Sequence, residues 1–375
     1  MSPLAPSVAS YPTTLRAVAA YGLPGTLLDL PAAPLTERAF TELHARVRAQ
    51  KLTGLFWAAI SEGAFPATAR QAELAEDWHV RILANNLLLE ELLVDMVGAL
   101  GEADIPVRAL KGSATAHLDY DNPAHRTFGD IDLLVPGSAF DEAVAVLEAR
   151  GCQRKFPEPR PGFTREFGKG VALRLGDQFE VDLHRTFTMG PYGLSLALDE
   201  VWKDHDSFSL AGVSVLALST EARLLHATYH ATLGDRRPRL APLRDTAQIL
   251  LMRQVSWARL KELMRASRGE AVVARGIAMA WRELNLADVL AGSAWAEAYY
   301  EDKHETSDIA VYGNNSSEAT RSLAALRAIP SVTRKVRFLT ALALPERSYL
   351  DGRHAGHVDR MRRGIADLRR WQSAQ

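Results

Sequence analysis

The chain has 375 residues, 47% of them hydrophobic and 24% charged, enough to bury a sizeable core without disulfides or structural metals. Its one cysteine, Cys152, excludes an intramolecular disulfide and a zinc ribbon. With 44 Lys and Arg against 45 Asp and Glu, the formal net charge of −1 speaks against a surface built wholly to neutralise the phosphates of a polynucleotide.

Two or three domains are expected of this length, at ~150 residues each. The opening Met1-Ser2-Pro3-Leu4-Ala5-Pro6 has no basic segment followed by an apolar one, and no run approaches the ~18 apolar residues of a membrane span, so a cytoplasmic protein without a membrane partner is expected. The most apolar window, Val80 to Leu100, contains Arg81, Glu90, Glu91 and Asp95 and reads as an amphipathic helix.

Residues 1–100 read as a helical region. Thr36 is a candidate N-cap before Glu37-Arg38-Ala39, Leu52, Leu55, Phe56 and Ala59 recur at helical spacing, and a longer helix runs from about Ala67 to Leu100.

Residues 101–215 read as a small α/β core. Ile105–Leu110 is a β-prone run ending at Lys111-Gly112-Ser113, Ala114–Leu118 is a short helix, and Asp119–Pro123 is a turn-rich loop. Ile131–Val135 is a strand, Phe140–Arg150 an amphipathic helix, and 152–215 alternates like an antiparallel sheet that includes Phe179–His184.

Residues 216–375 read as a C-terminal helical domain. Ser219 caps a helix over Glu221–Leu233, and helices fit Asp245–Met252, Ser256–Ala266 and Glu270–Leu284. The polar stretch Tyr300–Arg321, with Asn314-Asn315-Ser316-Ser317, reads as an exposed loop. From Arg334 to Gln375 ten basic residues face four acidic ones, among them Arg360, Arg362, Arg363, Arg369 and Arg370: a solvated helix face or an anion site.

The chemistry concentrates around Asp130-Ile131-Asp132. Residues two apart on a strand share a face, so Asp130 and Asp132 would present two carboxylates side by side. Such a pair repels itself unless a cation compensates, and hard oxygen ligands suit Mg²⁺. Glu180, Asp182 and His184 share a face of a later strand in the same way, so a third carboxylate can join the first two. Three convergent carboxylates can hold two Mg²⁺ ions for in-line displacement at phosphorus. Upstream, Gly112-Ser113 sits between a strand and a helix, where backbone N–H groups attract anions and the Ser113 hydroxyl can donate to a phosphate. Lys111 and Arg126 could add positive charge.

These residues carry a resemblance. Strand, Gly-Ser turn, helix and a strand bearing Asp-x-Asp resemble the nucleotidyltransferase fold shared with DNA polymerase beta. The longer pattern resembles more closely a bacterial family of uncharacterised nucleotidyltransferases, on Leu110-Lys111-Gly112, Arg126, Asp130-Ile131-Asp132 and Asp182-Leu183-His184, with His230 and Asp245 as further matches and an echo at Leu344-Pro345-Glu346-Arg347. Sixteen residues separate Ser113 from Asp130, more than in the compact polymerase signature.

The resemblance implies an α+β, polymerase-beta-like core with a mixed sheet, flanked by helical regions. It also implies Mg²⁺-dependent transfer of a nucleoside monophosphate from an NTP, with Asp130, Asp132 and Asp182 as metal ligands, Mn²⁺ being the alternative ion. Lys111, Gly112, Ser113 and Arg126 would bind the nucleotide, and His184 would orient the third acid, which is Asp182 or Glu180. The acceptor is expected to be a small molecule, peptide or protein. A tRNA-modifying enzyme and a nucleotide- or partner-binding module without catalysis are the alternatives. His226 and His230, one helical turn apart, form a weaker zinc pattern.

Overall fold

The computed structural model describes residues 11–235, 237–287, 290–313, 318–350 and 362. It begins with four helices, α1 (Thr13–Ala20), α2 (Glu37–Ala49), α3 (Thr53–Ser61) and α4 (Ala69–Glu102). The Thr36 side chain accepts the Ala39 N–H at the start of α2, as expected of an N-cap. Thr68 and Gln71 form a reciprocal capping box at the start of α4. The far half of this 34-residue helix lays Leu89, Leu93, Met96 and Leu100 against the sheet.

The core then runs β1 (Arg108–Ala109), α5 (Ser113–Asp119), β2 (Ile131–Leu134), α6 (Phe140–Ala149) and β3 (Cys152–Arg154). It continues through α7 (Phe163–Phe167), β4 (Gly170–Leu175), β5 (Phe179–His184), α8 (Pro191–Ser195), α9 (Leu198–Val201), β6 (His205–Leu210) and β7 (Val213–Leu218). The seven strands form one mixed sheet in the order β3-β4-β5-β2-β1-β7-β6. The fold is therefore α+β with flanking helices, as expected.

Two sequence expectations change. The run 152–215 pairs antiparallel within itself, β3 with β4, β4 with β5 and β6 with β7, but α7, α8 and α9 interrupt it and β5 joins the rest of the sheet by lying parallel to β2. All four residues of β2 are buried, the condition in which parallel pairing is normally found. The expected strand over Ile105–Leu110 shrinks to two residues, because Pro106 has no N–H to give and the Ile105 N–H is spent on the Leu100 carbonyl at the end of α4.

The remaining helices are α10 (Thr220–Tyr229), α11 (Leu240–Met252), α12 (Trp257–Ala266), α13 (Glu270–Leu284), α14 (Ala291–Ala298), α15 (Lys303–Ala310), α16 (Glu318–Ala328), α17 (Val332–Ala343) and α18 (Arg347–Leu350). Ser219 caps α10 through the Ala222 N–H. The helical stripe expected to reach Leu233 instead passes into a π turn over His230–Gly234. Helix α11 starts five residues before Asp245, where the Gln50 side chain accepts the Leu240 N–H at 2.9 Å. Tyr300–Arg321 is not a loop: Asp302 and Glu305 make a capping box that starts α15, and α16 begins at Glu318.

The hydrophobic cores cross the regions read from sequence. One cluster joins Leu15, Phe40 and Phe56 to Leu240, Leu243 and Met279. Another joins Leu110, Leu134 and Phe187 of the core to Leu224, Val272 and Ile277. Among the described residues, no helix is long and apolar enough to cross a membrane. Arg360, Arg363, Arg369 and Arg370, like Asn314–Ser317, lie outside the described residues, and Arg362 is exposed.

Candidate active site

Parallel pairing of β2 with β5 puts Asp132 directly beside Asp182, with Leu134 beside His184. Ligand atoms of Asp132, Asp182 and His184 lie within 4.8 Å of one another. His184 is buried and its Nε2 is 2.9 Å from Asp132 Oδ1. Burial, reinforced by the charge of Lys169, lowers the His184 pKa despite the pull of Asp132 and Asp182. A neutral His184 therefore donates through Nε2, and its Nδ1 lone pair has no partner among the described residues.

Asp130 lies one residue before β2, and two lysines hold it. Lys51 Nζ is 3.1 Å from Oδ1 and Lys111 Nζ is 3.3 Å from Oδ2. Lys111 also lies 2.9 Å from Asp132 Oδ2, an ion pair without the alignment of a hydrogen bond. The chain thus carries its own counter-ions for the paired acids. Burial and Asp132 oppose ionisation of Asp130, but Lys111 and Lys51 outweigh them and hold its pKa below the usual value. Burial also opposes the charge on Asp132, yet Lys111 and His184 hold it well below. Burial disfavours the Lys111 ammonium, but Asp132 and Asp130 keep its pKa above the ordinary lysine value. Asp182 is different: burial first, then repulsion by Asp132, raises its pKa.

Gly112 has φ 62° and ψ −115°, a backbone shape suited to glycine, where the chain turns from β1 into α5. The Ser113 hydroxyl donates to Glu90 Oε1 at 3.1 Å, so it is turned toward α4 and not toward the cleft as expected. The Arg126 guanidinium is likewise committed. It is buried, donates to both carboxylate oxygens of Asp245 at 2.8 and 2.7 Å, and donates to the Thr127 carbonyl. Arg126 and Asp245, read separately in the sequence, form one buried ion pair that ties the segment before β2 to α11. Of the two candidates for the third acid, Glu180 is half exposed and paired with Lys155, whereas Asp182 sits in register with Asp132.

Two lysines near the acids were not singled out from sequence. Lys51 arrives from the turn between α2 and α3. Lys169, just before β4, has no hydrogen-bond or ion-pair partner for its ammonium among the described residues; burial lowers its pKa, and Lys111 adds to that effect. Nothing in the local pattern marks either lysine, because each reaches the site only through tertiary packing. His226 is buried and His230 half-buried at the cavity wall, and desolvation is the chief cause that lowers the pKa of both. Neither belongs to a group of metal-ligating side chains among the described residues.

A cavity of about 190 Å³ opens in front of Asp130. Lys51, Lys111, Gly112, Phe128, His230 and Arg239 are among its walls. The cavity therefore brings the Asp130 carboxylate, a glycine turn and an excess of cations around one concave space, while Asp132, Asp182 and His184 stand behind its wall.

Comparison with known proteins agrees in kind. A model of the family described as uncharacterised nucleotidyltransferase matches residues 36–285. No curated protein matches this chain. The solution structure of the antibiotic-resistance factor ANT(2'')-Ia is 20% identical, covering 48% of this chain and 90% of that one at a TM-score of 0.32. The crystal structure of ANT(2'')-Ia with adenylyl-2''-tobramycin is 19% identical, covering 48% and 96% at a TM-score of 0.34. An antigenic nucleotidyltransferase-like protein from Paracoccidioides brasiliensis is 14% identical, covering 53% and 92% at a TM-score of 0.33. With two thirds of its length inside the family model, the chain belongs to the uncharacterised nucleotidyltransferase family.

Proposed function

We propose that this chain moves a nucleoside monophosphate from an NTP to a hydroxyl, or a similar nucleophile, of a small-molecule, peptide or protein acceptor. The observation that carries the reading is the pairing of Asp132 with Asp182 across β2 and β5, with Asp130 and the Gly112 turn at the same end of the sheet. The donor set fits a hard divalent cation: carboxylate oxygens dominate it, and the Nδ1 of His184 has no hydrogen-bond partner among the described residues. Asp130, Asp132 and Asp182 would hold Mg²⁺ or Mn²⁺, with His184 fixing Asp132. When bound, such an ion offsets the charge of the triphosphate and of the departing pyrophosphate.

The remaining roles fall to the chain's own groups. The backbone around Gly112 and Ser113 receives the outer phosphates, and Lys111 adds charge beside them. The acceptor oxygen forms a new bond to the α-phosphorus as the bond to pyrophosphate breaks, and Asp182 is our choice for the base that takes the acceptor's proton. Lys169, a cation without a partner among the described residues, is available to the leaving pyrophosphate. The Arg126 guanidinium is spent on Asp245, so its contribution is to hold the segment that carries Asp130.

Incubating the protein with each radiolabelled NTP, Mg²⁺ and cell extract tests the reading. A labelled product that vanishes with the Asp130→Asn, Asp132→Asn double variant is expected. Labelling that persists in that variant would exclude these carboxylates.

A further inference from the structure

All three parts of the chain wall the cavity before Asp130: Gln50 and Lys51 come from the N-terminal helices, Lys111 and Gly112 from the core, and Arg239 from the segment entering α11. Lys51 is the member that reaches Asp130 from the N-terminal helices. Its φ is 56°, in the left-handed region that favours glycine, yet a long charged side chain stands there. This is the left-handed stop of α2, the same device that ends helices at Asp104, Arg268 and Asn285. The Lys51 N–H donates to the Arg48 carbonyl at 3.0 Å and the Leu52 N–H to the Val47 carbonyl at 3.0 Å. The adjoining Gln50 side chain holds the first N–H of α11. The helix stop therefore fixes where the Lys51 side chain starts, at the cavity wall.

Charge balance says what it is placed for. In the structure two lysines, Lys51 and Lys111, neutralise two ionised acids, Asp130 and Asp132. Lys111 is nearly enclosed between the acids, with 18% of its side chain exposed, whereas Lys51 is 37% exposed at the cavity wall. A divalent cation at the carboxylates would make one of these ammonium groups surplus, and Lys51 is the one free to turn. The polyanion beside that cation is its natural new partner.

We infer that Lys51 is a polyphosphate-binding residue: it guards Asp130 while the site is empty and transfers its ammonium to the outer phosphates of the incoming nucleotide. This inference rests on the nucleotidyltransferase reading above and adds the N-terminal helical region to the nucleotide site.

The test uses the full chain, Mg²⁺ and inorganic tripolyphosphate, which represents any NTP donor, followed by titration calorimetry. Lys51→Gln is expected to weaken Mg²⁺–tripolyphosphate about tenfold, while Lys51→Arg stays within about threefold of the parent. The same Lys51→Gln should bind Mg²⁺ alone at least as tightly as the parent, because a competing cation has gone. This opposite response separates a phosphate ligand from a merely structural lysine. Lys51→Gly, which suits the left-handed backbone, repeats the test if the glutamine variant folds poorly. Equal tripolyphosphate binding by parent and variants would overturn the assignment of Lys51 alone. A parent protein that binds neither tripolyphosphate nor any common NTP would overturn the nucleotidyltransferase reading, and this inference with it.

Discussion

Lys111 and Asp132 form an ion pair at 2.9 Å in which only 1% of the Asp132 side chain is exposed. Carboxylates on one strand face were expected to repel, so that replacing them would relieve the fold. The structure reverses the sign. Lys111 is largely enclosed between Asp130 and Asp132, and removal of Asp132 leaves its ammonium with half its compensation.

Asp132→Asn should therefore abolish nucleotidyl transfer and also lower stability, by roughly 3 kcal/mol as for other broken buried pairs. Asp130→Asn should cost less, because Asp130 is partly exposed and Lys51 can turn to solvent. Urea unfolding of both variants checks the order. A Asp132→Asn variant as stable as the parent would show that Lys111 finds other compensation.

Arg126 and Asp245 give a second sharp expectation. Both are buried, the pairing uses both carboxylate oxygens, and the Tyr120 hydroxyl donates to Asp245 as well. Arg126→Ala should cost about 3–5 kcal/mol. Arg126→Lys should recover little, because one ammonium cannot replace a planar fork. Thermal melting decides: if Arg126→Lys melts like the parent but loses nucleotide affinity, Arg126 binds phosphate after all.

The buried histidines predict acid sensitivity. Burial above all, with His184 and Lys111 nearby adding to it, drops the His226 pKa from 6.5 to about 3. A histidine kept neutral in the fold takes up its proton first in the unfolded chain, so stability is whole above the ordinary histidine value and falls as the solution is acidified toward the folded value. Each such group contributes a slope of at most ~1.4 kcal/mol per pH unit within that window. His226 packs edge-on against Phe187 with ring centroids 4.7 Å apart. His226→Phe should flatten the decline measured by urea unfolding from pH 7 to pH 4, and an unchanged slope would place the sensitivity elsewhere.

Nucleotide binding should be linked to metal. The carboxylates and a triphosphate share a sign, so a thermal shift with an NTP is expected in Mg²⁺ or Mn²⁺ and not in EDTA. An equal shift in EDTA would mean that Lys51, Lys111, Lys169 and Arg239 suffice as an anion pocket.

Acceptor class can be read from salt. A polynucleotide acceptor needs several phosphate contacts and a steep salt dependence. Replacing Arg360, Arg362, Arg363, Arg369 and Arg370 with Ser should lower acceptor use only modestly. Loss of RNA labelling in that variant would move the enzyme to the tRNA-modifying class.

Local pattern made much of this molecule legible. Strand Phe179–His184 and helix Glu270–Leu284 begin and end where alternation and helical spacing predict. The family followed from the lysine-glycine turn and the spaced acids. What escaped depends on distant partners. The Ser113 hydroxyl points to Glu90 because α4 delivers that carboxylate to it, and Arg126 is spent because α11 delivers Asp245. Lys51 reaches Asp130 from 79 residues away in sequence. The missed helix α15 is another kind of error, since Asp302-Lys303-His304-Glu305 is itself a capping signature within a polar stretch.

The sixteen-residue spacer between Ser113 and Asp130 follows a fixed track. Gly54 of α3 lies so close to its middle that a β-carbon there would sit 2.1 Å from the Ala124 carbonyl oxygen, and the Gly54 N–H donates to the Thr127 hydroxyl at 3.3 Å. Helix α3 therefore acts as a template against which the spacer is measured out to Asp130. Evolutionary tinkering with either partner is constrained as a consequence: a residue inserted into the spacer, or a side chain added at position 54, would shift the register of the acids. A core cut free of α3 is therefore expected to lose the track of its spacer, and lineages that share the core should vary the spacer and α3 together.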